Sequence, residues 1–68
     1  MGVLYNMCQT LMKEVETRNP NPVELLLAKG ELARKAGFMV SLVGPGDVDD
    51  PQKIEAIRAA AREMGVQL

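Results

Sequence analysis

Histidine and tryptophan are absent from this 68-residue chain, and cysteine occurs only once, at Cys8. A lone cysteine cannot form a disulfide within the chain, and without histidine or a cysteine pair the sequence has no ligand set for structural zinc. Histidine is also the commonest general base of enzymes. Ser41, the only serine, has no visible base to activate it. We therefore expect no enzyme activity, no bound metal and no cofactor.

The chain also has few aromatic residues and almost no net charge. Tyr5 and Phe38 are the only aromatics, and eight basic and nine acidic residues give a net charge of −1. Because no basic block is present, the sequence argues against binding to nucleic acid or to an anionic membrane surface. No segment approaches the roughly 20 apolar residues that span a bilayer, and the first residues do not resemble a signal peptide. We expect a cytoplasmic protein.

What the chain does have is apolar content, which makes up 47% of its residues. We interpret residues 1–68 as a single domain, divided into a helix over 1–18, a proline-rich break over 19–22 and a second unit over 23–68. A domain this short hides only about 60% of the surface that its unfolded chain exposes. With disulfides and zinc excluded, association with other copies is the remaining way to cover the apolar surface.

The first eighteen residues give the clearest helical pattern. Their apolar residues recur at intervals of three and four, which is the spacing of an amphipathic helix with one broad apolar face. We predict that this face is the interface of a homodimer or larger oligomer. The predicted interface residues are Val3, Leu4, Met7, Leu11, Met12 and Val15.

The second unit reads as helix, strand, helix and short strand. Asn21 and Asp50 are typical N-caps, each followed by proline, and Gly37 and Gly65 are typical residues at helix ends. Residues 38–43, "FMVSLV", are apolar on both faces of an extended chain, as in a strand covered on both sides. The closing "VQL" then pairs beside them as a short parallel strand. The predicted fold class is therefore a small α/β domain.

The loop after the predicted strand contains Gly44-Pro45-Gly46 and three aspartates. It lacks the lysine of a phosphate-binding loop, and the carboxylates would repel a phosphate, so we interpret it as a turn followed by a helix cap. The segment "VSLVGPGD" (40–47) resembles the opening stretch of the tetrapyrrole methylases, which lies near their S-adenosylmethionine site. The chain is shorter than that two-domain family, and we carry over no function. The aspartates are more typical of a solvated cap than of a cation site.

Two other segments resemble helix-turn-helix repressors. The stretch "GELARKAGF" (30–38) is similar to their first helix and turn, and "PQKIEAIRAAAREMGV" (51–66) to a later helix. This resemblance implies an all-α fold with a degenerate helix-turn-helix, which is the alternative to the α/β prediction. A recognition helix needs polar side chains for base edges, whereas this chain has "MVSLVGPGD" at that place.

Three functional hypotheses follow from the sequence. The first is a non-enzymatic protein–protein interaction or assembly module that self-associates and has the capacity to bind another protein. The second is a DNA-binding regulator of the helix-turn-helix kind. The third is an accessory subunit that contributes the aspartate loop, residues 47–50, to a larger enzyme. The first is preferred because the residues that the other activities need are missing.

Overall fold

The structure, a computed structural model, describes residues 2–68, and its regular elements are all helical. No strand occurs in this range, and none of its helices is long and apolar enough to cross a lipid bilayer. The α/β prediction is therefore wrong, and the all-α alternative fits. The elements are α1 (Val3–Arg18), α2 (Pro22–Ala36), a single 3-10 turn (Val40–Leu42) and α3 (Pro51–Met64).

Side-chain caps start the second and third helices where the sequence pattern indicates. The Asn21 side chain accepts hydrogen bonds from the amides of Val23 at 2.9 Å and Glu24 at 3.3 Å. The Asp50 carboxylate accepts one from the Gln52 amide at 2.9 Å. Each cap satisfies amides that have no partner inside the helix, and the proline that follows already has the backbone angle of a first helical residue.

Glycines in the left-handed conformation end the same two helices. Gly37 has φ 83° and Gly65 has φ 73°, values that a side chain disfavours. After α3, the Gly65 amide donates to the Arg62 carbonyl at 3.2 Å and the Val66 amide donates to the Ala61 carbonyl at 2.8 Å. This pair of bonds is the Schellman motif, which folds the chain back over the helix end.

The predicted strand over residues 38–43 is a turn instead. The Leu42 amide donates to the Met39 carbonyl at 3.1 Å, and the Val43 amide donates to the Val40 carbonyl at 3.4 Å. Val40 is buried, whereas the side chain of Leu42 is 75% exposed, so only one side of this segment is covered by the helices. The apolar pattern was interpreted as burial on both faces, and the structure provides burial on one.

The short strand predicted for residues 66–68 is also absent. The Val66 amide is bonded to the end of α3 and its side chain packs against the core. The two predicted strands depended on each other, since a strand needs a partner for its backbone hydrogen bonds. A two-stranded parallel sheet is too small to be stable alone. The amides of Leu42, Val43 and Val66 instead bond to carbonyls a few residues before them.

The core lies where the three helices meet. Helix α1 contributes four side chains at intervals of three and four, and α3 contributes Ile57 with two alanines that allow the helices to approach closely. The buried residues are Leu4, Cys8, Leu11, Val15, Leu32, Ala36, Val40, Ile57, Ala60 and Ala61.

Candidate functional site

The interface predicted on α1 is largely inside the chain's own core. Leu4, Leu11 and Val15 are each at most 1% exposed, and Met7 and Met12 pack half-buried around them. Val3, the sixth predicted residue, is 52% exposed. The stripe that was assigned to a second copy is thus used to hold α1 against α2 and α3.

Helix α2 has a first apolar face, which belongs to the core. Leu32 and Ala36 are buried, and Leu25 and Ala28 pack against the same cluster. These positions recur at intervals of three and four, so they lie in one row along the helix. This inner face fixes the orientation of α2 on the rest of the chain.

The second apolar face of α2 points away from the core. Val23 is 67% exposed, Leu26 71% and Leu27 68%. These three residues lie at i, i+3 and i+4, and Gly30 continues the same row at i+7. Apart from the adjacent residues and the nearby backbone of α2 itself, no atom lies within 4 Å of a Cβ placed on Gly30, so the surface there is open. We call Val23, Leu26, Leu27 and Gly30 the outer face of α2.

Charges of opposite sign lie at the two ends of α2. Glu24 is in the first turn of α2, and Arg34 and Lys35 are in its last turn. The Arg34 guanidinium also pairs with Glu31 at 2.6 Å, in an exposed position. Each group lies at the helix end whose dipole it complements. Helix α2 therefore carries an acidic residue in its first turn and basic residues in its last turn.

All three carboxylates of the aspartate loop accept hydrogen bonds from backbone amides. The Asp49 carboxylate accepts a hydrogen bond from the Leu4 amide at 3.0 Å, so it caps the start of α1 from a distant part of the chain. The Asp47 carboxylate accepts one from the Gly44 amide at 3.0 Å. Asp50 caps α3, as described above. Within residues 2–68 no group of three or more acidic, cysteine or histidine side chains is arranged to hold a metal ion.

Cys8 is surrounded by the core. Burial raises the pKa of its thiol above the ordinary value, and the positive charge of Lys53 lowers that pKa by a smaller amount. The Lys53 ammonium lies 5.3 Å from the centre of the Phe38 ring, a distance typical of a cation–π contact. A buried thiol with a raised pKa is a poor nucleophile, so this environment favours a packing role for Cys8.

The sequence of α2 is apolar on more than one side, and the prediction of a helix there did not identify which side faces solvent. The i, i+3, i+4 spacing of Val23, Leu26 and Leu27 was the signal that could have identified it. The chain matches no protein-family model, no curated protein and no solved structure.

Proposed function

We propose that this protein is a small, non-enzymatic protein–protein interaction module of the cytoplasm that self-associates through the outer face of α2. One observation carries the proposal: three large aliphatic side chains, each about two-thirds exposed, lie together on the side of α2 opposite the core. Fully burying one Leu or Val stabilises a complex by about 1.5–3 kcal/mol relative to leaving it exposed. The free, buried thiol of Cys8 suits a reducing compartment.

The charges favour an antiparallel pair of α2 helices. In that arrangement a two-fold axis passes near the middle of α2, and each copy uses the same patch. Glu24 of one copy then lies level with the Arg34 end of the other, so opposite charges meet at both ends of the contact. The dipoles of two antiparallel helices also attract each other. A parallel pair would place Glu24 beside Glu24, which is repulsive.

The contact expected from this face is weak. Standard stable interfaces bury about 800 Å² on each partner, which is more than three side chains and a glycine provide. We therefore expect a dimer whose population rises with concentration in the micromolar range or above, and not a permanent assembly.

Neither rival hypothesis gains support from the geometry. Residues 37–50 separate α2 from α3, whereas a helix-turn-helix joins its two helices by a turn of about three or four residues. The accessory-subunit hypothesis relied on the aspartate loop. The carboxylates of that loop accept hydrogen bonds from backbone amides of the chain itself.

Sedimentation velocity over a concentration series tests the proposal. We expect the wild-type protein to shift from monomer towards dimer, and Leu27→Glu to remain monomeric because a carboxylate in an apolar interface is costly to desolvate. Leu42→Glu is the matched control, since Leu42 is equally exposed and lies outside α2. It should dimerise like the wild type. A wild-type protein that stays monomeric at several hundred micromolar, or equal loss in both variants, would refute self-association through this face.

A further inference from the structure

A second surface feature, separate from the outer face of α2, is a cleft between α1, α3 and the chain after α3. It has a volume of about 450 Å³, within the roughly 300–1,000 Å³ of small-molecule sites. Two arginines of α3, Arg58 and Arg62, lie along it. The other side chains of its lining are aliphatic: Val3, Met7, Ala61, Val66 and Leu68.

The two arginines are the polar part of the cleft. Arg58 and Arg62 are four residues apart, so their side chains leave α3 on the same face, one turn from each other. Within residues 2–68 neither forms an ion pair, whereas Arg18 pairs with Glu14 and Arg34 pairs with Glu31. Two guanidinium groups that line one cleft, each with five N–H donors and no acceptor, suit an oxyanion such as a carboxylate.

The aliphatic lining indicates what should be attached to that oxyanion. Apart from the guanidinium donors, the lining side chains offer no hydroxyl, amide or carboxylate. A peptide or a sugar brings donors that would lose their hydrogen bonds to water without finding a side-chain acceptor here, which is unfavourable. An alkyl chain has no such requirement and gains from contact with Val3, Met7 and Val66.

We propose that this cleft binds a single-chain anionic amphiphile of the alkyl carboxylate class, as a free molecule. The carboxylate lies between the Arg58 and Arg62 guanidinium groups and the alkyl chain lies along the aliphatic lining. Because each buried methylene strengthens binding by about fourfold, affinity should rise from hexanoate to octanoate and then level off when the cleft is filled.

Methyl-detected NMR titration with octanoate tests the assignment directly. We expect chemical-shift changes at Val3, Met7 and Val66, with little change at Val23 and Leu26. The neutral analogue octanol should bind at least tenfold more weakly. Shift changes centred on α2, or octanol binding as well as octanoate, would overturn the proposal without requiring any variant.

The double variant Arg58→Gln, Arg62→Gln tests the role of the charges. Both side chains are exposed, so the fold should be retained, and octanoate affinity should fall at least tenfold. Lys13→Gln, at an exposed position of α1 outside the cleft, is the control and should bind octanoate like the wild type. Undiminished binding by the double variant would contradict the assignment.

Two further ligands test whether the cleft binds a protein or a membrane instead of an alkyl carboxylate. A short peptide with a C-terminal leucine should bind more weakly than octanoate. Vesicles containing phosphatidylglycerol should not retain the protein. A peptide that binds more tightly, or vesicle binding without octanoate binding, would assign the cleft to a protein or a membrane and overturn the proposal.

Discussion

Asp49 shows how a single residue can act far from its own segment. Its carboxylate accepts a hydrogen bond from the Leu4 amide at 3.0 Å, across 45 positions of sequence. Helix α1 begins after Gly2, which offers no side chain to cap it. Asp49 therefore accepts a hydrogen bond from one of the free amides at the start of α1. Its negative charge also lies at the positive end of the helix dipole. This contact ties the loop before α3 to the beginning of the chain.

Removing that cap should destabilise the fold measurably. We expect Asp49→Ala to lower the free energy of unfolding by about 1 kcal/mol, as measured by urea denaturation. A Cβ at Gly2 would come within 2.6 Å of the same carboxylate oxygen, so Gly2→Ala should displace it and cost a similar amount. The two losses of stability should not add, because both substitutions remove the same hydrogen bond. Additive losses in the double variant would show that Gly2 and Asp49 act independently.

Cys8 predicts a pH dependence of stability. Burial raises the pKa of its thiol in the folded state, so on raising the pH the unfolded chain releases this proton first. The contribution of Cys8 is therefore complete below the ordinary thiol pKa of about 8.5 and is lost as the pH rises above it. Cys8→Ala should show a shallower fall in unfolding free energy between neutral and alkaline pH. Parallel pH profiles for the two proteins would contradict this.

At the scale of the element, α2 is the helix whose two sides have different roles. Leu25, Ala28 and Leu32 hold it to the core, and the outer face is left to solvent. An isolated helix of this length is marginal in water, so packing of the inner face is what stabilises it. The outer face contributes nothing to that packing, and this is why it is available for a partner.

Two glycines of this region should respond oppositely to alanine. Gly30 lies within α2 with open space around it, so Gly30→Ala should stabilise the dilute monomer by about 0.5–1 kcal/mol. Gly37 has φ 83°, so Gly37→Ala should destabilise it by about 1–2 kcal/mol. Thermal denaturation followed by circular dichroism at low concentration measures both. Stabilisation by both substitutions would show that Gly37 is not held in the left-handed conformation.

At the scale of the whole molecule, the chain covers its core and still exposes apolar surface. Its accessible surface is 4584 Å², against about 4,200 Å² expected for a folded monomer of its mass. The excess is modest. The core, by contrast, is closed: Leu11 and Ile57 are 0% exposed.

We expect substitution of Leu11, in the closed core, to affect stability far more than substitution of Leu26, on the outer face. Leu11→Ala should lower the unfolding free energy by about 2–5 kcal/mol, because it removes contacts and leaves a cavity. For a chain of this length that is a large share of a total of about 3–10 kcal/mol. Leu26→Ala should change it by no more than about 0.5 kcal/mol at low concentration. Urea denaturation compares them, and equal losses would place Leu26 in the core.

Where α2 and α3 begin and end could be read from the sequence alone. Asn21, Asp50, Gly37 and Gly65 act through backbone groups only a few residues away, and such local chemistry can be read directly from the order of residues. The amphipathic pattern of α1 was equally readable, since its period does not depend on what covers the apolar face. The pattern does not say whether that cover is the same chain or another copy.

The class of the fold and the location of the candidate site could not be read from the sequence and follow from tertiary packing. Residues 38–43 are apolar enough for a strand, and the absence of a partner strand makes them a turn. Helix α1 was expected to bind a second copy and is covered by α2 and α3, which leaves the outer face of α2 exposed. The Asp49 cap and the cleft beside Arg58 likewise join residues far apart in sequence. Contacts of this kind depend on how the helices pack, and no local pattern contains that information.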